Sequence, residues 1–259
     1  MVSVTQRIKQ VKQPRGGYLP GRRFEKIQLP IKQELHAEEN ISPGLVGTVV
    51  DFLTRFALGS PAEEAFATSL IGAERLGEGE KERSEKLLEN ITGLDDESIF
   101  HACKLAGYDV ALRAGPMAYK PVQLIFADEE TVGNIRILVE RSLVFFEEFG
   151  PMTHNGIRFG LESLSKHITS GDGDFATKDT LWDFKVSKNP PKKEHTLQLL
   201  VYYLMGLQAF HLQDDFALLE YLAIYNPRLQ IVYRLPLADI PDDVIIAVKR
   251  DVIGYGVSF

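Results

Sequence analysis

At 259 residues, with 44% apolar and 25% charged side chains, the chain has material for a full hydrophobic core and an ordinary globular composition. No run of about 18 apolar residues argues for a transmembrane helix, and the opening "MVSVTQRIKQVKQPRGG" has no apolar core of a secretory leader. The net charge of -7 argues against a uniformly basic coat. A single cysteine, Cys103, excludes an internal disulfide framework, a zinc knuckle and a four-cysteine iron–sulfur cluster. It suits a reducing cytoplasm and reads as a small buried residue of a helix.

Charge is unevenly spread. Residues 1–33 hold eight Lys/Arg against one acid, Glu25, whereas residues 62–98 hold eleven acids against four bases. The first 42 residues, with "QPRGGYLPGRR", read as a basic, partly extended arm that suits either phosphate contact or a solvated tail. Helix signals follow: Ser42-Pro43 opens a helix that stops at Gly59-Ser60-Pro61, and three more segments fill residues 61–113. Residues 43–130 are therefore expected as a helical region packed on a core formed by 131–259.

Apolar residues at 132, 135, 138, 139, 143 and 146 predict an amphipathic helix ending at Gly150-Pro151. Strands are expected in "GIRFGLESLSKHITSGDGDF" and "TLWDFKVSK", joined by the turn "ATKD". A long buried helix follows Pro190-Pro191. Two more strands flank Asn226-Pro227, beginning with "FALLEYLAIYNP", and a helix closes the chain. The order predicts a mixed α/β core with a helical N-terminal half.

The hairpin carries the chemistry. Asp183 and Lys185, two apart on one strand, project from the same face, and pairing through the turn brings Asp174 close to Asp183. Two converging carboxylates repel, and Mg²⁺ or Mn²⁺ is the usual remedy, offsetting phosphoryl charge and activating water. A neighbouring lysine orients that water or stabilises the transition state. The same residues also suit plain turn chemistry and a same-face ion pair. Asp172, of the same strand parity as Asp174, is the second choice for that acid.

Asp174, then "DFK" at 183–185, then "QLLVY" from Gln198 to Tyr202, in that order, resemble the PD-(D/E)XK nucleases, specifically the branch similar to RecB and lambda exonuclease. The resemblance covers residues 131–236 well, 43–58 loosely and the remainder not at all. It implies a restriction-endonuclease-like mixed sheet flanked by helices, and a metal-dependent deoxyribonuclease leaving 5′-phosphates. It makes Asp174, Asp183 and Lys185 catalytic, with Gln198 and Tyr202, one helical turn apart, holding the DNA backbone. The branch also carries G-x-x-x-H on an earlier helix. Here "GTVVD" ends in Asp51, a candidate third metal ligand or simply an exposed helix residue. A second departure is Val186, which intervenes between Lys185 and Ser187.

Lys188 and Lys192, with Lys193, are expected at the mouth of the site on phosphates or on a solvated loop, and His195 on the same helix face as Gln198. DNA is the expected partner, together with a protein partner or further copies of the chain, and no membrane. Phage recombination, host repair and defence would all suit such a small cytoplasmic nuclease, whether it cuts exo- or endonucleolytically. The rival reading is a catalytically silent nucleic-acid-binding or assembly protein that keeps the nuclease fold. An intact carboxylate pair weighs against it, because binding alone has no use for repelling charges.

Overall fold

The computed structural model describes residues 2–256 of an α/β chain built on a six-stranded mixed sheet. In chain order, α1 (Val4–Gln10) and β1 (Glu25–Gln28) are followed by α2 (Pro43–Ala57), α3 (Ala62–Ala65), α4 (Ala67–Glu74), α5 (Glu78–Glu89), α6 (Asp96–Ala106) and α7 (Asp109–Arg113). Then come α8 (Glu129–Phe149), β2 (His154–Arg158), β3 (Asp172–Ala176), β4 (Thr180–Phe184), α9 (Lys193–Gly206), α10 (Gln213–Ala217), β5 (Tyr221–Asn226), β6 (Ile231–Pro236) and α11 (Asp242–Ala247). None of the described helices is long and apolar enough to cross a membrane.

Two compact units divide the chain. One comprises the described parts of Met1–Leu29 and Phe146–Phe259; the other is Pro30–Phe145. The expected boundaries at 42 and 130 thus differ from the observed ones. The arm of residues 1–42 is shared between the units, and α8 ends inside the sheet unit. The physical reason lies in the arm's apolar residues. Val4 and Ile8, on one face of α1, are buried in the cluster that contains Leu197, Leu200 and Val201 of α9. Arg7 secures the other end of the contact, donating to the carbonyls of Asp251 and Val252.

In the helical unit, Ser42 caps α2 by accepting from the Leu45 N–H, and Val46, Val49, Val50 and Leu53 form its buried stripe. Cys103 is fully buried in α6, where desolvation pushes its thiol up to about 12 and makes it inert.

The sheet runs β1-β6-β5-β4-β3-β2. Its one parallel pair, β4 with β5, is joined by the α9 crossover, and all other neighbours are antiparallel. β4 is buried on both faces. Leu181 packs toward α9, while Trp182 takes the other face, with Phe175 stacked 6.0 Å away and Phe149 edge-on at 5.4 Å. Several elements differ from the sequence expectation, among them α1 and β1, which form within the arm read as turns and extended chain. The helix after Pro190-Pro191 stops at Gly206, where the Phe216 ring occupies the space a Cβ would need, a close approach only glycine allows. The strand expected from Phe216 begins at Tyr221, since residues 213–217 form α10, whose Phe216 turns into the core.

Candidate active site

The β3–β4 hairpin sets two carboxylates side by side. Phe175 pairs with Trp182 and Ala176 with Leu181, and continuing that register places Asp174 opposite Asp183, both on the α9 face. Asp174 Oδ2 accepts the Phe184 N–H at 2.7 Å, which ties the acid of β3 to the end of β4. Asp183 is 1% exposed. Its Oδ1 accepts from Lys185 Nζ at 2.6 Å, while its Oδ2 is buried without any donor.

That orphaned oxygen has an electrostatic consequence. Burial pushes the Asp183 carboxyl up, Lys185 pulls it back and the Asp174 charge adds to the rise, leaving it at about 7. A hydrogen bond between the two acids requires a proton on one of them, because ionised carboxylates only accept. Burial disfavours the Lys185 ammonium, yet Asp183 and Asp174 outweigh it and hold the lysine protonated well above its usual range. Burial lowers His195 at the start of α9, and the Lys185 charge adds to that fall.

Gln198 and Tyr202 lie one turn apart on α9, and Gln198 Nε2 donates to the Tyr202 hydroxyl at 2.8 Å. Tyr202 is 4% exposed and stacked on Phe159 at 5.4 Å. Burial raises its phenol, and the charges of Asp174 and Asp183 act in the same direction. Gln198 is the half-exposed member of the pair.

The structure therefore gathers Asp174, Asp183, Lys185, Gln198 and Tyr202 into one electrostatically coupled cluster. Lys188 and Lys192 are exposed on the segment between β4 and α9. Asp172 is exposed on β3, opposite Arg158. Asp51 belongs to the helical unit, and both of its oxygens accept from Arg55 one turn along α2. Three features have no local sequence signal: the Phe184 N–H on Asp174, the Phe159 ring under Tyr202, and the Thr196 hydroxyl bonded to the Leu19 carbonyl at 2.7 Å.

Two carboxylates with one buried oxygen lacking a donor are the oxygen-rich kind of donor set that hard divalent cations take. Among the described residues, no three His, Cys, Asp or Glu side chains gather to hold a metal, so solvent or substrate oxygens would complete the coordination. The site stands near the C-terminal ends of the parallel strands β4 and β5, where open α/β sheets form their crevices. The chain matches no family model, and no curated protein or solved structure is significantly similar to it.

Proposed function

We propose that the chain is a Mg²⁺- or Mn²⁺-dependent deoxyribonuclease of the PD-(D/E)XK type, with its sheet in the restriction-endonuclease-like form. The observation that carries this reading is the buried Asp183, bonded to Lys185 through one oxygen and left without a donor on the other, with Asp174 beside it. A carboxylate pair that serves only stability has no reason to leave a buried oxygen unpartnered.

When bound, the cation supplies charge stabilisation at the phosphoryl group and makes water nucleophilic near neutral pH. Asp174 and Asp183 would hold it. The Lys185 ammonium, kept charged by both acids, orients the attacking water and stabilises charge developing on the phosphate oxygens. Gln198 contacts the strand backbone, and the buried Tyr202 fixes its orientation. Lys188 and Lys192 meet phosphates at the mouth.

The test is cleavage of linear and circular DNA, single- and double-stranded, with Mn²⁺, comparing the wild type with Lys185→Ala. Cutting by the wild type alone supports the reading, and loss of linear DNA only identifies an exonuclease. If both proteins leave DNA intact while shifting it on a gel, the nuclease reading is wrong and a binding protein takes its place.

A further inference from the structure

Nine lysines and arginines lie in two short stretches, residues 9–26 and 188–194, and all nine are exposed. Only Glu25 and Glu194 oppose them there, in a chain whose net charge is -7. The fold brings the two stretches together. The Thr196 hydroxyl in the first turn of α9 donates to the Leu19 carbonyl at 2.7 Å. Gly17, at φ +90°, passes so close to α9 that a Cβ there would stand 2.7 Å from Lys193 Cβ. Arg22 and Lys26 line one cleft with Pro190 and Pro191.

Such a gathering is unfavourable by itself, because like charges repel and a tail free in solvent would separate them. Here the arm is pinned instead. Val4, Ile8, Leu19 and Phe24 are buried in the same cluster as Leu197 and Leu200 of α9. An anion laid along the surface offsets the repulsion. With Leu19 and Phe24 turned into the core, the surface offers charge without the apolar face that a bilayer-bound segment needs.

The same surface leads to the acids. Lys188 and Lys192 lie on the segment that leaves β4 beyond Lys185. Across the sheet, Asp183 pairs with Ile224, Ile224 with Tyr233, and Tyr233 with Lys26, so Lys26 shares the α9 face with Asp183. Three strand spacings separate the two, about 14 Å. About four nucleotides of duplex cover that span, at roughly 3.4 Å each.

We propose that residues 15–26 form, with Lys192 and Lys193, a fixed ledge for the phosphate backbone of DNA on one side of the cleavage point, gripping it by charge whatever the base sequence. The inference rests on the nuclease reading and extends its footprint from the acids to the arm. A strand with one phosphate at Asp174 and Asp183 leaves past Lys188 and Lys192 and continues over Arg22 and Lys26.

The experiment uses the full chain in EDTA, so that binding is read without cleavage. Fluorescence anisotropy follows a labelled oligonucleotide, as a single strand and as a duplex, over a salt series, and thermal melts check that each variant is folded. Arg15→Gln, Arg22→Gln and Lys26→Gln together change three exposed positions. They are expected to flatten the slope of log K against log[salt] by about 0.7 for each lost phosphate contact on single strands and about 0.9 on duplex. The loss should be equal for unrelated sequences. Gly17→Ala keeps every charge but drives the arm off Lys193, and it is expected to flatten the slope as well.

An unchanged slope in either variant, a loss confined to one sequence, or tighter binding to phosphatidylserine vesicles than to DNA would each overturn the ledge. An unchanged slope in a protein that cuts DNA with Mn²⁺ removes the ledge and leaves the nuclease reading standing. A flattened slope in a protein that never cuts upholds the ledge and removes the nuclease.

Discussion

Lys185 Nζ donates to Asp183 Oδ1 at 2.6 Å, while the other oxygen of the same carboxylate, equally shut from water, receives nothing. An ionised carboxylate offers two accepting oxygens, and leaving one buried without a donor costs about 1–3 kcal/mol or more. Either a proton shared with Asp174 or a bound cation satisfies it. The site is thus least stable when empty and ionised, and the first two expectations follow from that condition.

In metal-free buffer, stability is expected to fall as pH rises between the usual 3.8 and about 7. The folded Asp183 carboxyl titrates above its unfolded value, so the native state holds the extra proton in that window and loses its advantage as the proton leaves. Asp183→Asn has no such group. Its melting temperature should exceed the wild type's above pH 7, and the gap should close toward the acid end. Thermal melts in EDTA across the window measure it; a constant gap would mean that Asp183 ionises normally.

Mn²⁺ is expected to raise the wild-type melting temperature, with about 2.7 kcal/mol of stabilisation at a hundredfold excess over Kd. Asp183→Asn and Asp174→Asn should each abolish the rise. Asp51→Asn should leave it intact, because Arg55 already engages both Asp51 oxygens. Loss of the rise in Asp51→Asn would return that residue to the ligand set.

Lys185→Ala is expected to lower cleavage about 10²–10³-fold, the usual effect of removing one transition-state donor. DNA binding in EDTA should change far less. The same substitution should cost about 1.5–3 kcal/mol of stability at pH 8 through the missing charged hydrogen bond, and less at acid pH, where Asp183 is neutral. Single-turnover kinetics and denaturant melts separate the two effects.

Gln198→Ala should raise the DNA concentration needed for half-maximal cleavage about tenfold, the low end for a hydrogen bond to a charged group. Tyr202→Phe should act by releasing Gln198, with a stability loss of about 0.5–1.5 kcal/mol for the missing 2.8 Å bond. Unchanged kinetics in both variants would remove the pair from substrate binding.

Ile8→Ala should destabilise the sheet unit by about 2–5 kcal/mol, a core-sized loss from a position within ten residues of the start. A change under about 0.5 kcal/mol, typical of surface positions, would mean that the arm is not part of the core in solution.

The hairpin is legible in the sequence because strand geometry has a fixed period of two. Asp183 and Lys185 have to share a face, and the turn between Ala176 and Thr180 limits which residue Asp174 meets. Helical period likewise sets Gln198 above Tyr202. The arm is legible only in part: Val4, Ile8 and Val11 recur at helical spacing behind the Ser3–Gln6 capping box, but the Pro- and Gly-rich stretch that follows reads as extended chain. Only long-range packing on α9 shows Val4 and Ile8 to be core.

Local sequence suffices for local facts: where the helix and strand periods run, which faces are apolar, and that two acids and a lysine converge on one strand pair. These depend on dihedral periodicity and side-chain chemistry, which act over a few residues. Tertiary packing sets how deeply Asp183 is buried, that one of its oxygens lacks a donor, and that Tyr233 and Lys26 continue its row across the sheet. Desolvation and strand register sum over residues distant in sequence, such as Lys26 and Tyr233, and no local window contains that sum.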